Sequence, residues 1–261
     1  MLQLKNWVER EAGGCLPGLK SVYLERTAST NDEALEYCRS GGKGPFLVVA
    51  GEQSAGRGRL ERKWESPPGK GLYFSLLLHP KLPSAQAPLI PLAVGLALKQ
   101  GLAGWALPDL VLKWPNDLWA GKRKMAGILC ELVGPGPRIN AVVVGIGLNL
   151  TQRPEDFSSE LRLMATSLWQ VLNIDVSASA LLHKIVSAIF AELAKLEELG
   201  PVVLARSWEQ RSGMLGLQVK VREGNHETSG TTLGLTDGGQ LRVRGADEKI
   251  IDVLSGDVFL I

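Results

Sequence analysis

Gly56 to Trp64 reads GRGRLERKW, four cationic side chains and two glycines in one short stretch. Gly56 and Gly58 allow positive φ and a close backbone approach that turns amides toward an anion. Arg57, Arg59 and Arg62 add guanidinium forks, which bind phosphate or carboxylate oxygens in pairs, and Lys63 adds a point charge. A solvated basic loop or an RNA-contacting patch fits the same residues.

Three further segments carry polar groups at informative places. Lys113 to Leu129 reads KWPNDLWAGKRKMAGIL. A strand running into Pro115 sets Asn116 and Asp117 at its end. Asp117 there is suited to holding Mg²⁺ with a phosphate or to accepting a proton from an attacking amine. Lys124 lies among the small residues Ala126 and Gly127, where an inward-pointing cation would meet an anion. An ordinary hairpin with a solvated Arg-Lys tip accounts for the segment equally well. Val142 to Leu150 reads VVVGIGLNL, where Gly145 and Gly147 point to close approach of a ligand or backbone, or to a bulge. Asn149 suits an adenine edge, a sugar or a turn cap. Ser29, Thr30 and Asn31 precede a helix and fit capping.

The elements that must position these groups follow from pattern. Thr30 as N-cap with Glu33 at the capping-box spacing starts a helix to Cys38, and Gly41-Gly42 ends it. Phe46 to Ala50 and Leu72 to Leu78 read as strands, Pro88 to Leu102 as a buried helix, and Leu110 to Trp114 as a strand. Leu118 to Val133 reads as two strands joined at Gly121-Lys122, and Ala141 to Gly145 as another. Ser177 to Leu199 has a helical apolar face of Leu182, Ile185, Ile189, Leu193 and Leu196. From Gly213 short alternating runs separated by turn residues indicate a small antiparallel barrel. The expected division is an α/β (α+β) mixed-sheet domain over 1–212 and a small β domain over 213–261.

Composition narrows the classes. The chain has 261 residues, 45% hydrophobic and 21% charged, with net charge +2. So small a bias implies neither nucleic acid nor membrane. Cys15, Cys38 and Cys130 form no CxxC pair, and the three histidines have no ligand-like neighbours, so a zinc site or a histidine triad is not expected. Neither a signal peptide nor a spanning segment is visible, which predicts a cytoplasmic protein. No P-loop, dinucleotide fingerprint, GxSxG or HExxH motif occurs.

Taken in order, the STN triplet, GRGRLERKW, KWPND with GKRKMAGIL, and GIGLNL resemble the motifs of bacterial biotin protein ligases, within the biotin and lipoate ligase superfamily. The resemblance implies the biotin/lipoate ligase fold with a terminal SH3-like barrel. It further implies that Ser29, Thr30, Asn31 and Gln53 border the ureido head of biotin, and that Gly56, Arg57, Gly58, Arg59, Lys124 and Gly127 line the path toward its carboxylate. Arg62, Lys63, Trp64, Asn116, Asp117 and Asn149 would belong to the nucleotide and transfer region, with Lys124, Arg59 and Asp117 central to the chemistry. ATP and Mg²⁺ are the implied cofactors, with the metal near Asp117. The implied partner is a biotin carboxyl carrier protein or another biotinyl domain of a carboxylase, with no nucleic acid or membrane, and a homodimer is compatible.

The resemblance also implies two displacements without a covalent enzyme intermediate, catalysed by positioning and charge. Two departures stand out. Family loops commonly carry glycine where this chain has Glu61, and only 28 residues precede Ser29, too few for the winged helix-turn-helix of bifunctional relatives. A monofunctional ligase is therefore expected. The alternatives are a lipoate or octanoate ligase, against which the GRGR and KWPND pairing argues, and a ligand-sensing repressor module.

Overall fold

The computed structural model describes residues 2–105, 107, 110–224 and 226–261. Its centre is a seven-stranded mixed sheet with strand order β1-β2-β3-β7-β6-β5-β4. Strand β1 is Lys20–Leu24, β2 Phe46–Ala50, β3 Gly71–Leu78 and β4 Leu110–Lys113. Strand β5 is Asp117–Ala120, β6 Arg123–Val133 and β7 Ala141–Asn149. Only β1 and β2 run parallel, joined through helix α2 (Thr30–Arg39). The remaining neighbours pair antiparallel.

The two sheet faces differ. Leu72, Phe74 and Leu76 of β3, Ala126 and Ile128 of β6, and Val144, Ile146 and Leu148 of β7 share a core with helices α3 (Ile90–Gly101) and α5 (Ala178–Ser212). Each leucine, isoleucine, valine or phenylalanine among them contributes about 1.5–3 kcal/mol on burial. Alternate residues, including Val48, Leu77 and Val143, face the other way and pack under Ala34 of α2. Burial on both faces explains why FLVVA is apolar throughout. Further along that second face the same alternation presents Ser75, Gly127, Gly145 and Gly147. The strands themselves present little bulk there, and the candidate site lies there.

Some sequence expectations are corrected. Ser29, not Thr30, is the N-cap of α2, and its side chain makes no capping bond. Glu33 accepts from the Thr27 hydroxyl at 2.5 Å, so the expected capping box does not form. The Pro88 helix is split, with a 3-10 segment Ser84–Leu89 ahead of α3. Strand β7 runs on past Gly145 to Asn149, because glycine leaves its ladders to β3 and β6 intact. The last long helix does not stop at Leu199. The chain breaks at Gly200 (φ 79°), and Pro201 restarts it, since a helix start needs no proline N–H. Leu204, Ala205 and Trp208 then bury the new turns. Helices α1 (Leu2–Arg10) and α4 (Leu168–Leu172) and strand β1 went unread.

After α5, strands β8 (Gln218–Glu223), β9 (His226–Leu235), β10 (Leu241–Arg244), β11 (Ile250–Val253) and β12 (Asp257–Leu260) form a five-stranded antiparallel sheet. Trp114 Nε1 donates to the Gly239 carbonyl at 2.9 Å and ties this sheet to the turn before Asn116. Among the described residues no helix is long and apolar enough to cross a membrane.

Candidate active site

One end of the site is built at the start of α2. The first amides of a helix lack intrahelical partners, and Gln53 supplies one from outside. Its Oε1 accepts both Thr30 N–H (2.8 Å) and the Thr30 hydroxyl (3.1 Å). Gln53 Nε2 donates to Ser66 Oγ at 2.9 Å, which leaves its second proton free. Ser75, fully buried on β3, lies 2.7 Å from Thr30 Oγ1 and 2.6 Å from Asn31 Oδ1. Asn31 Nδ2 donates to Glu131 Oε2 at 2.5 Å. This end therefore holds an acceptor, Thr30 Oγ1, beside a donor, Gln53 Nε2. Ser29 is buried at the cap position.

Glycines make the floor. A Cβ on Gly145 would stand 2.1 Å from Asn31 Oδ1, and one on Gly147 would stand 2.3 Å from the Trp64 indole. Gly127, opposite Gly147 in register, would meet Trp64 at 3.1 Å and Lys124 at 3.2 Å. Close approach, rather than a bulge, explains these glycines. The irregularity in this part of the sheet sits instead between Leu118 and Trp119. Gly56 admits the loop for the same reason, since a Cβ there would stand 2.5 Å from the Trp64 carbonyl.

The other end is cationic. Lys124 Nζ lies 2.7 Å from Asp117 Oδ1 and 5.4 Å above the Trp64 ring. The Lys124–Asp117 contact is off the hydrogen-bond directions, and both Asp117 Oδ1 and Trp64 Nε1 are buried without a hydrogen-bond partner. Arg59 donates to Asn116 Oδ1 at 3.1 Å, while Asn116 Nδ2 holds the Ile128 carbonyl at 2.7 Å. Arg62 forks onto Asp257 of β12, one bond being 2.9 Å. That pair raises the guanidinium pKa and holds the Asp257 carboxyl below the usual range. Burial lowers the Lys113 ammonium, against the pull of Asp117. Four cations thus surround two carboxylates at this end. A cavity of about 470 Å³ adjoins Arg59 and Asn116 at the boundary with the C-terminal sheet.

Other expected residues sit differently. Arg57 reaches the first end, pairing with Asp32 at 2.6 Å and Glu131 at 3.1 Å. Lys63 stays exposed, its backbone bridged to Arg57. Asn149 is 3% exposed, with Nδ2 donating to the Thr166 carbonyl and Oδ1 accepting from Gln152, both at 2.9 Å. Its amide is committed to the 152–166 segment, which packs on Lys124 through Lys124 N–H to Met164 O at 2.8 Å. Leu60 and Glu61 both adopt positive φ, 54° and 59°. This is the conformation a glycine takes without strain. The loop arginines find Asp32, Glu131, Asn116 and Asp257 as partners rather than Glu61.

Glu131, Ser75, Ser66 and Asp257 were not foreseen. A lone acid in ILCELV or a lone serine in YFSLL has no local pattern, and register alone brings them to the site. Cys130 lies beside Glu131, but burial pushes its thiol up to about 12, so it is no nucleophile. Among the described residues no group of three His, Cys, Asp or Glu could hold a metal ion.

Residues 23–149 match the Biotin/lipoate A/B protein ligase family, and residues 214–261 match the Biotin protein ligase C terminal domain. The bifunctional ligase/repressor BirA of Bacillus subtilis is 32% identical over 243 residues, covering 93% of this chain and 74% of the relative. The biotin–[acetyl-CoA-carboxylase] ligase of Paracoccus denitrificans is 36% identical over 225 residues, covering 85% of this chain and 93% of the relative. Among solved structures, the biotin protein ligase from Aquifex aeolicus in complex with biotin and ATP superposes with TM-score 0.79 at 30% identity, covering 94% of this chain and 99% of that one.

Proposed function

Because this chain belongs to the biotin/lipoate A/B protein ligase family, among its biotin protein ligases, we propose that it activates biotin with ATP and transfers it to one lysine of a carboxylase's biotinyl domain. The observation that carries this reading is the polarity of the site. A neutral acceptor and donor, Thr30 Oγ1 and Gln53 Nε2, stand at one end, and a cationic cluster around Lys124 stands at the other. A cyclic urea offers an N–H and a carbonyl to the first, and a carboxylate joined to a phosphate needs the second. The dithiolane of lipoate offers nothing to the first end.

In the first step a biotin carboxylate oxygen attacks the α-phosphorus of ATP, and pyrophosphate leaves. The acceptor ε-amine then attacks the carbonyl carbon of the mixed anhydride, AMP leaves, and the amine loses a proton. Ser29, Thr30, Asn31 and Gln53 hold the head group. Gly145, Gly147 and Gly127 let Asn31 and the Trp64 ring lie close on the sheet, and these side chains line the path of the ring and chain. Gly56, Arg57 and Gly58 bring the loop backbone over the ligand, and Arg59 and Lys124 meet the carboxylate and α-phosphate. Arg62, Lys63 and Asn116 serve the outer phosphates, and Asn149 serves the nucleotide indirectly by holding the 152–166 segment.

Asp117, whose buried Oδ1 meets the Lys124 ammonium at 2.7 Å without a directed hydrogen bond, would hold Mg²⁺ carried in on the phosphates once Lys124 turns to the ligand, since a single carboxylate suffices for that ion with a nucleotide. Bound there, the metal would neutralise phosphate charge. A carboxylase acceptor makes the cytoplasm the place of action, and the reading requires neither nucleic acid nor a second copy of the chain.

The test is incubation with an acceptor biotinyl domain, read by mass. One biotinyl group on one lysine, dependent on biotin and Mg-ATP together, is expected. Transfer of lipoate in place of biotin would overturn the reading.

A further inference from the structure

We infer that Glu131 is a specificity-determining positioning residue that sets the hydrogen-bond polarity of the head-group pocket, acting through Asn31 and Ser75. The inference rests on the biotin reading above and deepens it.

The argument begins with what each group can do. Glu131 Oε2 takes a guanidinium proton of Arg57 at 3.1 Å and an amide proton of Asn31 at 2.5 Å. An ionised carboxylate only accepts, so the Asn31 amide must turn its NH₂ toward Glu131 and its Oδ1 toward Ser75. Asn31 is 4% exposed and lies against the missing Cβ of Gly145, so no water competes for that choice. Oδ1 can only accept, so the single Ser75 proton goes to it, across 2.6 Å. Ser75 Oγ then has only lone pairs to offer Thr30, 2.7 Å away.

The Thr30 proton therefore turns inward, to Ser75 or to Gln53 Oε1. With that proton turned inward, the direction left toward the pocket carries a lone pair and accepts. Gln53 Oε1 is filled by Thr30, so Gln53 is left with an N–H to give. A pocket with one acceptor and one donor side by side fits the N–H and C=O edge of a cyclic urea.

Without an acceptor at position 131 the Asn31 amide is free to turn over. Its NH₂ would then donate to Ser75, and the Ser75 proton would pass to Thr30 Oγ1. The Thr30 proton, shut out from Ser75, would then be left to Gln53 Oε1 or to the pocket, where it would oppose the ligand N–H. The second consequence concerns the loop, because the same carboxylate oxygen holds Arg57. Asp32 also pairs with Arg57, so loss of charge at 131 loosens this anchor without abolishing it.

Two variants separate the two roles. Glu131→Leu removes the acceptor and the charge with little change in size. It is expected to raise KM for biotin at least about tenfold in pyrophosphate exchange, with kcat and KM for ATP within about threefold of wild type. Glu131→Gln keeps an oxygen for the Asn31 NH₂ and should rescue KM for biotin to within about threefold, while tryptic cleavage after Arg57 in the ligand-free protein rises in both variants. A Glu131→Leu enzyme with unchanged KM for biotin, or a Glu131→Gln enzyme as impaired as Glu131→Leu, would overturn the inference. So would a fall in kcat, KM and melting temperature together, which marks a merely structural residue. Wild-type protein without biotin-dependent exchange would overturn the functional reading itself, and this inference with it.

Discussion

Lys124 is the cation that lies over Gly127 of β6, opposite Gly147 of β7. Its Nζ touches Asp117 electrostatically without a directed hydrogen bond, and Trp64 and Gly127 crowd its stem. A cation so held meets developing negative charge without reorganisation. Lys124→Ala should slow adenylate formation by about two to three orders of magnitude, or about 2–4 kcal/mol of transition-state stabilisation. Biotin-dependent pyrophosphate exchange measures it, and a rate within threefold of wild type would remove Lys124 from the site. Lys124→Arg should not restore the rate, because a planar fork cannot replace a compact ammonium held 2.7 Å from Asp117 Oδ1 and 5.4 Å above the Trp64 ring.

At the scale of the element, β6 and β7 do the positioning. Their register sets Gly127 against Gly147, and the alternation of side chains turns both toward Trp64. Gly147→Ala would put a methyl 2.3 Å from the indole, so the ring must leave its place. The expected outcome is a rise of at least tenfold in KM for biotin and a changed tryptophan emission, with a melting temperature within a few degrees of wild type. Emission identical to wild type would show that the ring does not rest on Gly147. The ligand loop is shaped at the same scale. Leu60 and Glu61 hold left-handed backbone at about 1–2 kcal/mol each relative to ordinary conformations. Replacing Glu61 by glycine should raise the melting temperature slightly, because relief of about 1–2 kcal/mol exceeds the roughly 0.4–1 kcal/mol of added unfolded-chain freedom, and a lower melting temperature would show that the backbone there is not strained.

Across the whole molecule, the C-terminal sheet reaches the ligand loop through Arg62 and Asp257. The guanidinium hydrogen bonds, ahead of the charges of Arg62, Arg59 and Lys113, hold the Asp257 carboxyl below its ordinary 3.8. A depressed folded pKa means that the contact's contribution is complete above 3.8 and is lost as pH falls through the lower folded value. Protection of the Arg59–Lys63 amides, corrected for intrinsic exchange, should therefore hold at neutral pH and fall only in that acidic window. Asp257→Asn should lower the protection at neutral pH and erase this part of the pH dependence. Protection equal to wild type would mean that the C-terminal sheet does not steady the loop.

What was legible in the sequence was local or nearly so. FLVVA, the hairpin around Gly121-Lys122, and the turn-punctuated tail are each patterns of a few residues, and β2, β5, β6 and β8 to β12 follow them. The candidate site reads as four motifs because its cations, turn residues and glycines cluster along the chain. The mixed-sheet class came with them. Long-range pairing was not legible. Whether Gly145 marked a bulge or a close approach depends on Asn31, more than a hundred positions away, and Thr30 looked like a cap until Gln53 took its amide. Gly200-Pro201 reads locally as a stop, and only the packing of Trp208 carries α5 onward. Glu131 and Ser75 are single polar residues in apolar strands, invisible as motifs. Sheet register bridges separations of 44 and 100 residues to place them beside Asn31, because hydrogen bonds between side chains are decided by distance in space and not along the chain.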